Sequence, residues 1–206
     1  MENLRIIRTL RKELQNRFPE QDGTFLAERL YEAGITELTD EVIEKLNYLQ
    51  SICKDFSLDS CSWLVVSLPK TVLMERYDRF VSYCGDKKCE VSALKLSEEK
   101  FEQYSNFFKE IEMSEEQCKK ALGMVIRNGI ILKSIAEAKV AVNELGNFHI
   151  SVEERNRFIT DNGDMLFNDY SRKISENVRK LIDCYGETEA YAKLKEHPEV
   201  LRIGLD

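Results

Sequence analysis

A chain of 206 residues, 43% of them hydrophobic, can bury a sizeable core, and no stretch of it is long or apolar enough to cross a bilayer. Its formal charge of −7 is unevenly placed: residues 1–18 carry five cations against two acids, and the rest of the chain sums to −10. A nucleic-acid binder neutralises phosphates with a basic excess, so any such surface here has to be local. The start, Met1-Glu2-Asn3-Leu4-Arg5, enters a charged amphipathic segment instead of an apolar one, which predicts a mature cytoplasmic protein with neither secretory signal nor membrane partner. In that setting the six cysteines are expected as free thiols.

The first predicted helix runs from Asn3 to Phe18, with Leu4, Ile7, Leu10 and Leu14 on one face and Arg5, Arg8 and Lys12 on another. Pro19 and the Gln21-Asp22-Gly23 turn end it. A second helix, Thr24 to Glu32, turns Phe25, Leu26, Leu30 and Tyr31 inward and stops at Gly34, a residue suited to a left-handed helix end. Thr39 or Asp40 caps a third, apolar at Val42, Ile43, Leu46 and Leu49. Residues 1–37 read as an N-terminal helical cap, and residues 38–206 as degenerate helical repeats. One copy starts near Ser57 or Asp59, carries Trp63, Leu64 and Val65, and closes on the hook Leu68-Pro69-Lys70-Thr71-Val72-Leu73. A truncated unit follows, with Tyr77, Phe80, Val81 and Cys84 on one helix and Val91 and Leu94 on a stub.

Beyond it the spacing becomes regular. Ser97, Ser134 and Ser171 lie 37 residues apart, and so do Ser114, Ser151 and Thr188. A helix N-cap needs a short side chain that accepts a hydrogen bond from an otherwise unpaired amide, so the two ladders mark paired helix starts. Ser114 with Gln117, Ser134 with Glu137 and Ser151 with Glu154 complete capping boxes. The same frame aligns Tyr104, Ala141 and Val178, then Phe108, Leu145 and Ile182, then Ile111, Phe148 and Tyr185, as the inward columns of the first helices. Breakers followed by apolar hooks end the units at Asn128-Gly129, Asn162-Gly163 and His197-Pro198. The fold expected is therefore all-α: a solenoid-like array of stacked helix pairs with short third-helix hooks, regular over 97–133, 134–170 and 171–206.

No catalytic constellation, cofactor motif or metal-ligand spacing emerges. His149 and His197 stand apart and read as structural. Cys84 and Cys89 are the nearest thing to a metal knuckle, but Cys53 and Cys61 are a poor second pair. Asp161-Asn162-Gly163-Asp164 lacks the alternating acids of a calcium loop and reads as a turn. Phe101, Tyr104, Phe107 and Phe108 recur at helical spacing and are expected in the core, not stacked on bases.

A capped helix, a second helix, then Pro or Gly and a hydrophobic hook ending in Leu resembles the repeat of the mitochondrial transcription termination factor (mTERF) family. Ser171 to Leu201 is the best copy, through Leu194, Pro198, Val200 and Leu201, with Gly129 and Gly163 standing where other copies have Pro. The resemblance implies a curved solenoid whose basic inner groove tracks a DNA or RNA backbone. Cation pairs on the second helices, Lys119 with Lys120, Arg155 with Arg157 and Lys193 with Lys195, would meet successive phosphates, joined by Arg127, Lys133, Arg179 and Lys180. Arg5, Arg8, Arg11 and Lys12 form the densest cationic patch. Two readings stay open. These cations grip nucleic acid, or they are solvated helix faces balanced by Glu115, Glu116, Glu153, Glu154 and Glu189, on a non-enzymatic scaffold for a protein partner.

Overall fold

Four caps of the two ladders are where the sequence places them. In the computed structural model, which describes residues 2–129, 132–167 and 173–203, Ser97, Ser114, Ser134 and Ser151 each accept a hydrogen bond from the amide three residues on, at 3.2–3.3 Å. Gln117, Glu137 and Glu154 reach back to the cap amides, so all three predicted boxes close. Thr39 and Ser57 cap the earlier helices in the same way. Ser171 lies outside the described residues. Thr188 caps nothing: Gly186, at φ 73°, turns the chain directly from one helix into the next, and Thr188 falls inside the first turn.

No strand forms among the described residues, and the chain divides into two compact all-helical units, Met1–Lys95 and Leu96–Asp206. No described helix is long and apolar enough to cross a membrane.

In the first unit α1 (Glu2–Arg17) packs on α2 (Thr24–Glu32), and α4 (Leu58–Ser67) packs on both α2 and α3 (Asp40–Ile52). A 3₁₀ turn, Val91–Lys95, rests on α4 and on α5 (Lys70–Cys84). Leu10, Leu14, Leu26, Leu30, Leu46, Leu49 and Leu64 are completely buried, each contributing about 2 kcal/mol by leaving water. Gly34 ends α2 as predicted: with φ at 81°, its N–H donates to Tyr31 and that of Ile35 donates to Leu30, the two bonds of a Schellman motif. The start of α2 borrows a cap from elsewhere in the fold, since Asp59 Oδ1 on α4 accepts from the Leu26 N–H at 3.2 Å. At the other end of α4, Pro69 has no N–H to offer the Val65 carbonyl, and the buried Lys45 Nζ donates to it at 3.1 Å while pairing with Glu41 at 2.9 Å.

Three expectations in this unit fail. Leu4 is 61% exposed and Phe25 44% exposed, Phe25 lying under the Arg29 guanidinium instead of in the core. The hook after Pro69 does not exist. Proline favours a helix start, and nothing between Lys70 and Cys84 breaks one, so hook and following helix are the single α5.

In the second unit helices pair in sequence: α6 (Glu98–Glu110) with α7 (Glu115–Asn128), α8 (Ile135–Leu145) with α9 (Val152–Phe167), and α10 (Ile174–Tyr185) with α11 (Glu187–Glu196). Across pairs α7 packs on α9, and α8 touches both α6 and α10. The columns follow the frame inward and then drift. Tyr104, Ala141, Val178, Phe108, Leu145 and Phe148 are buried, whereas Ile182 is half-exposed and Tyr185 exposed, Leu181 taking the inner place on α10. Tyr104, Phe107, Phe108 and Phe167 pack ring on ring with centroids 5.6–6.2 Å apart, so these aromatics are core.

Gly129 ends α7 as read, the Ile130-Ile131 start of its hook lying outside the described residues, and α12 (Val200–Ile203) follows Pro198 as a hook, its Leu201 carbonyl held by the buried Asn177 at 3.1 Å. Asn162-Gly163 makes a kink, not a turn: Asn162 leaves helical geometry while α9 continues to Phe167.

Candidate interaction surface

The predicted cations part into two groups. On α7, α9, α10 and α11 most are engaged by their own helices. Lys120 pairs with Glu116 at 3.4 Å, Arg157 with Glu153 at 3.0 Å, Lys180 with Glu176 at 2.9 Å and Lys193 with Glu196 at 3.4 Å, all at i,i+3 or i,i+4 spacing. The Lys180 bond draws the Glu176 carboxyl below its ordinary pKa. Lys195 sits over the Tyr191 ring at 4.9 Å. Arg127 stands in the last turn of α7, where its charge opposes the helix dipole, and Lys119 is exposed on the same helix. Arg179 lines a shallow dent of about 410 Å³ with Glu144, His149, Ser175 and Glu187.

Arg155 does structural work. Its Nη2 donates to the Ile111 carbonyl at 2.7 Å, and its guanidinium also donates to Asn156 Oδ1. Asn156, 1% exposed, donates to the Ile111 and Glu112 carbonyls at 3.0 and 3.1 Å. Together they satisfy the end of α6, where Glu112 adopts φ 62°. Lys133 is likewise turned inward, 7% exposed, with its backbone carbonyl accepting from the Tyr104 hydroxyl at 3.1 Å. Neither role is legible in the chain itself, because an Arg-x-Arg on a helix reads the same whether it faces water or the end of a neighbouring helix.

The second group is on α1. Arg5, Arg8 and Lys12 are exposed and, with Leu4 and Thr9, line a groove of about 410 Å³ along one stripe of the helix. Positions 4, 8 and 12 stack at i,i+4 spacing, with 5 and 9 beside them, which fixes the five side chains on one face. Of the two acids of this helix, Glu13 is turned away, accepting from the Leu38 N–H at 3.4 Å, and Glu2 stands in the first turn, ahead of the stripe. Arg11 reaches Asp22 only at 3.7 Å, both side chains exposed.

Both histidines face a single exposed carboxylate, His149 with Glu187 at 3.3 Å and His197 with Glu199 at 3.2 Å. Cys84 and Cys89 form no knuckle: Cys89 turns to Cys53, their sulfurs 3.9 Å apart. Among the described residues no group of three or more His, Cys, Asp or Glu is placed to hold a metal ion. No protein-family model, curated protein or solved structure matches this chain.

Proposed function

We propose that this protein is a non-enzymatic binding module, an mTERF-like helical repeat, that contacts a nucleic-acid backbone through the basic stripe of α1. The observation that carries the reading is the contrast between the two groups of cations. Arg5, Arg8 and Lys12 present an exposed stripe beside Leu4 without an acid interleaved, while Lys120, Arg157, Lys180 and Lys193 are matched within their helices and Arg155 is held in the fold. Phosphates release counterions most readily to such unmatched cations. The pairwise packing from α6 to α11, with serine-capped starts on α6 to α9 and the Pro198 hook, supports the repeat, and a solenoid is the architecture it favours.

A protein partner is the second reading, favoured by Trp63 at 45% and Phe25 at 44% exposure on α4 and α2, helices that pack on each other. Fluorescence anisotropy separates the two. Labelled single-stranded RNA and duplex DNA are expected to bind at low salt and to be released as salt rises. Absence of binding to either at low salt removes the nucleic-acid reading and leaves the apolar surface.

A further inference from the structure

The end of α3 and the segment after α5 meet in an isolated parallel bridge that sets two buried thiols side by side. The Lys54 N–H donates to the Cys89 carbonyl at 2.9 Å, and the Cys89 N–H donates to Ile52 at 3.0 Å. Contacts on both sides fix the register: Asp55 Oδ1 accepts from the Val91 N–H at 2.8 Å, Lys54 pairs with Glu90 at 3.0 Å, and the Tyr77 hydroxyl donates to the Lys87 carbonyl at 2.7 Å. Cys53 and Cys89, 3% and 0% exposed, thus face each other with sulfurs 3.9 Å apart, a separation that a small side-chain rotation closes. We propose that Cys53 and Cys89 form a reversible disulfide in response to hydrogen peroxide, a covalent latch that encloses α4 and α5.

The contact between the two sulfurs favours a thiolate on one of them, and Cys89 is taken as that sulfur: the hydrogen bond it shares with Cys53 lowers its pKa against the opposing effect of burial. The Cys89 thiolate attacks one peroxide oxygen, the O–O bond breaks, and the departing hydroxide takes a proton to become water, leaving a sulfenic acid. The Cys53 sulfur then attacks the Cys89 sulfur, the S–O bond breaks, and hydroxide leaves with the Cys53 proton as a second water. Two thiols and one peroxide become one disulfide and two waters, and a dithiol reductant reverses the link by exchange. Burial of the pair places local opening of the 85–90 loop before the first step, and Gly85 through Lys88 are exposed there.

The test is peptide mapping of the full chain after hydrogen peroxide, with remaining thiols alkylated. A peptide joining Cys53 to Cys89 is expected, lost on dithiothreitol, with the melting temperature of the oxidised protein up by roughly 10 °C. Cys53→Ser abolishes both changes and Cys184→Ser abolishes neither. Recovery of positions 53 and 89 as alkylated thiols or as higher oxides, or a link from Cys89 to Cys61 or Cys84, overturns the proposal. The mapping uses the unmodified chain, so a variant that fails to fold leaves the question decidable.

Discussion

Two side chains from α9 close the end of α6, and Asn156→Ala tests that role. The change removes both amide donors, to Ile111 at 3.0 Å and to Glu112 at 3.1 Å, and the oxygen that holds the Arg155 guanidinium. Arg155 keeps its own bond to Ile111 at 2.7 Å, so that carbonyl stays satisfied and the loss is confined to the amide. At about 1 kcal/mol for each bond, with some further loss from loosening the arginine, the expected cost is about 2–3 kcal/mol. For a helical unit of this size that lowers the melting temperature by on the order of 10 °C. Arg155→Ala should cost less, about 1 kcal/mol, because Asn156 still serves Ile111. The double variant should lose more than the sum, since each side chain covers for the other at one carbonyl. Urea unfolding followed by circular dichroism measures all three. An Asn156→Ala protein within about 0.5 kcal/mol of the parent refutes the capping role, below the ordinary worth of one such bond. Loss of nucleic-acid binding by Arg155→Ala at unchanged stability would return that residue to the interface.

Other consequences are equally specific. Gly34→Ala forces a side chain into left-handed backbone with open space around it, so the penalty is conformational alone, about 1–2 kcal/mol by urea unfolding, and Gly34→Asn should recover part of it. Lys45→Met keeps the stem but strips the Val65 carbonyl of its charged donor, costing about 2 kcal/mol in the same assay. Burial pushes the Tyr48 hydroxyl up to about 12, with Asp78 and Tyr77 adding, and burial likewise raises Tyr104. The native state therefore holds these protons after the unfolded chain releases them near pH 10. Stability is full below that value and falls between pH 10 and 12, and Tyr48→Phe should flatten the fall in unfolding curves measured across that range.

The legible parts of this fold are those governed by neighbours in sequence. A serine three residues before a glutamate or glutamine carries its own cap, so Ser114, Ser134 and Ser151 were readable without knowing what the helices touch. Positions that depend on a distant partner were not. Leu4 shares the spacing of Leu10 and Leu14 but is exposed in the first turn of α1, and Tyr185 keeps the repeat frame but is exposed as the last residue of α10. Pro69 carries the same residue type as a hook breaker, yet what decides its role is the uninterrupted helix after it. In the candidate surface, the stripe on α1 follows from helical spacing alone. The diversion of Arg155 into α6, and the meeting of Cys53 with Cys89, arise between segments tens of residues apart and leave no local pattern.

If α1 supplies the phosphate contacts as proposed, its cations set the salt dependence of nucleic-acid binding. With labelled duplex DNA, each phosphate contact contributes about 0.9 to the slope of log K against log salt. Replacing Arg5, Arg8 and Lys12 by Gln is expected to reduce that slope by about 2–3 and weaken binding at low salt, while Arg157→Gln and Lys193→Gln leave the slope unchanged. A slope that survives loss of the α1 cations, or that falls instead with the cations of α9 and α11, contradicts the account.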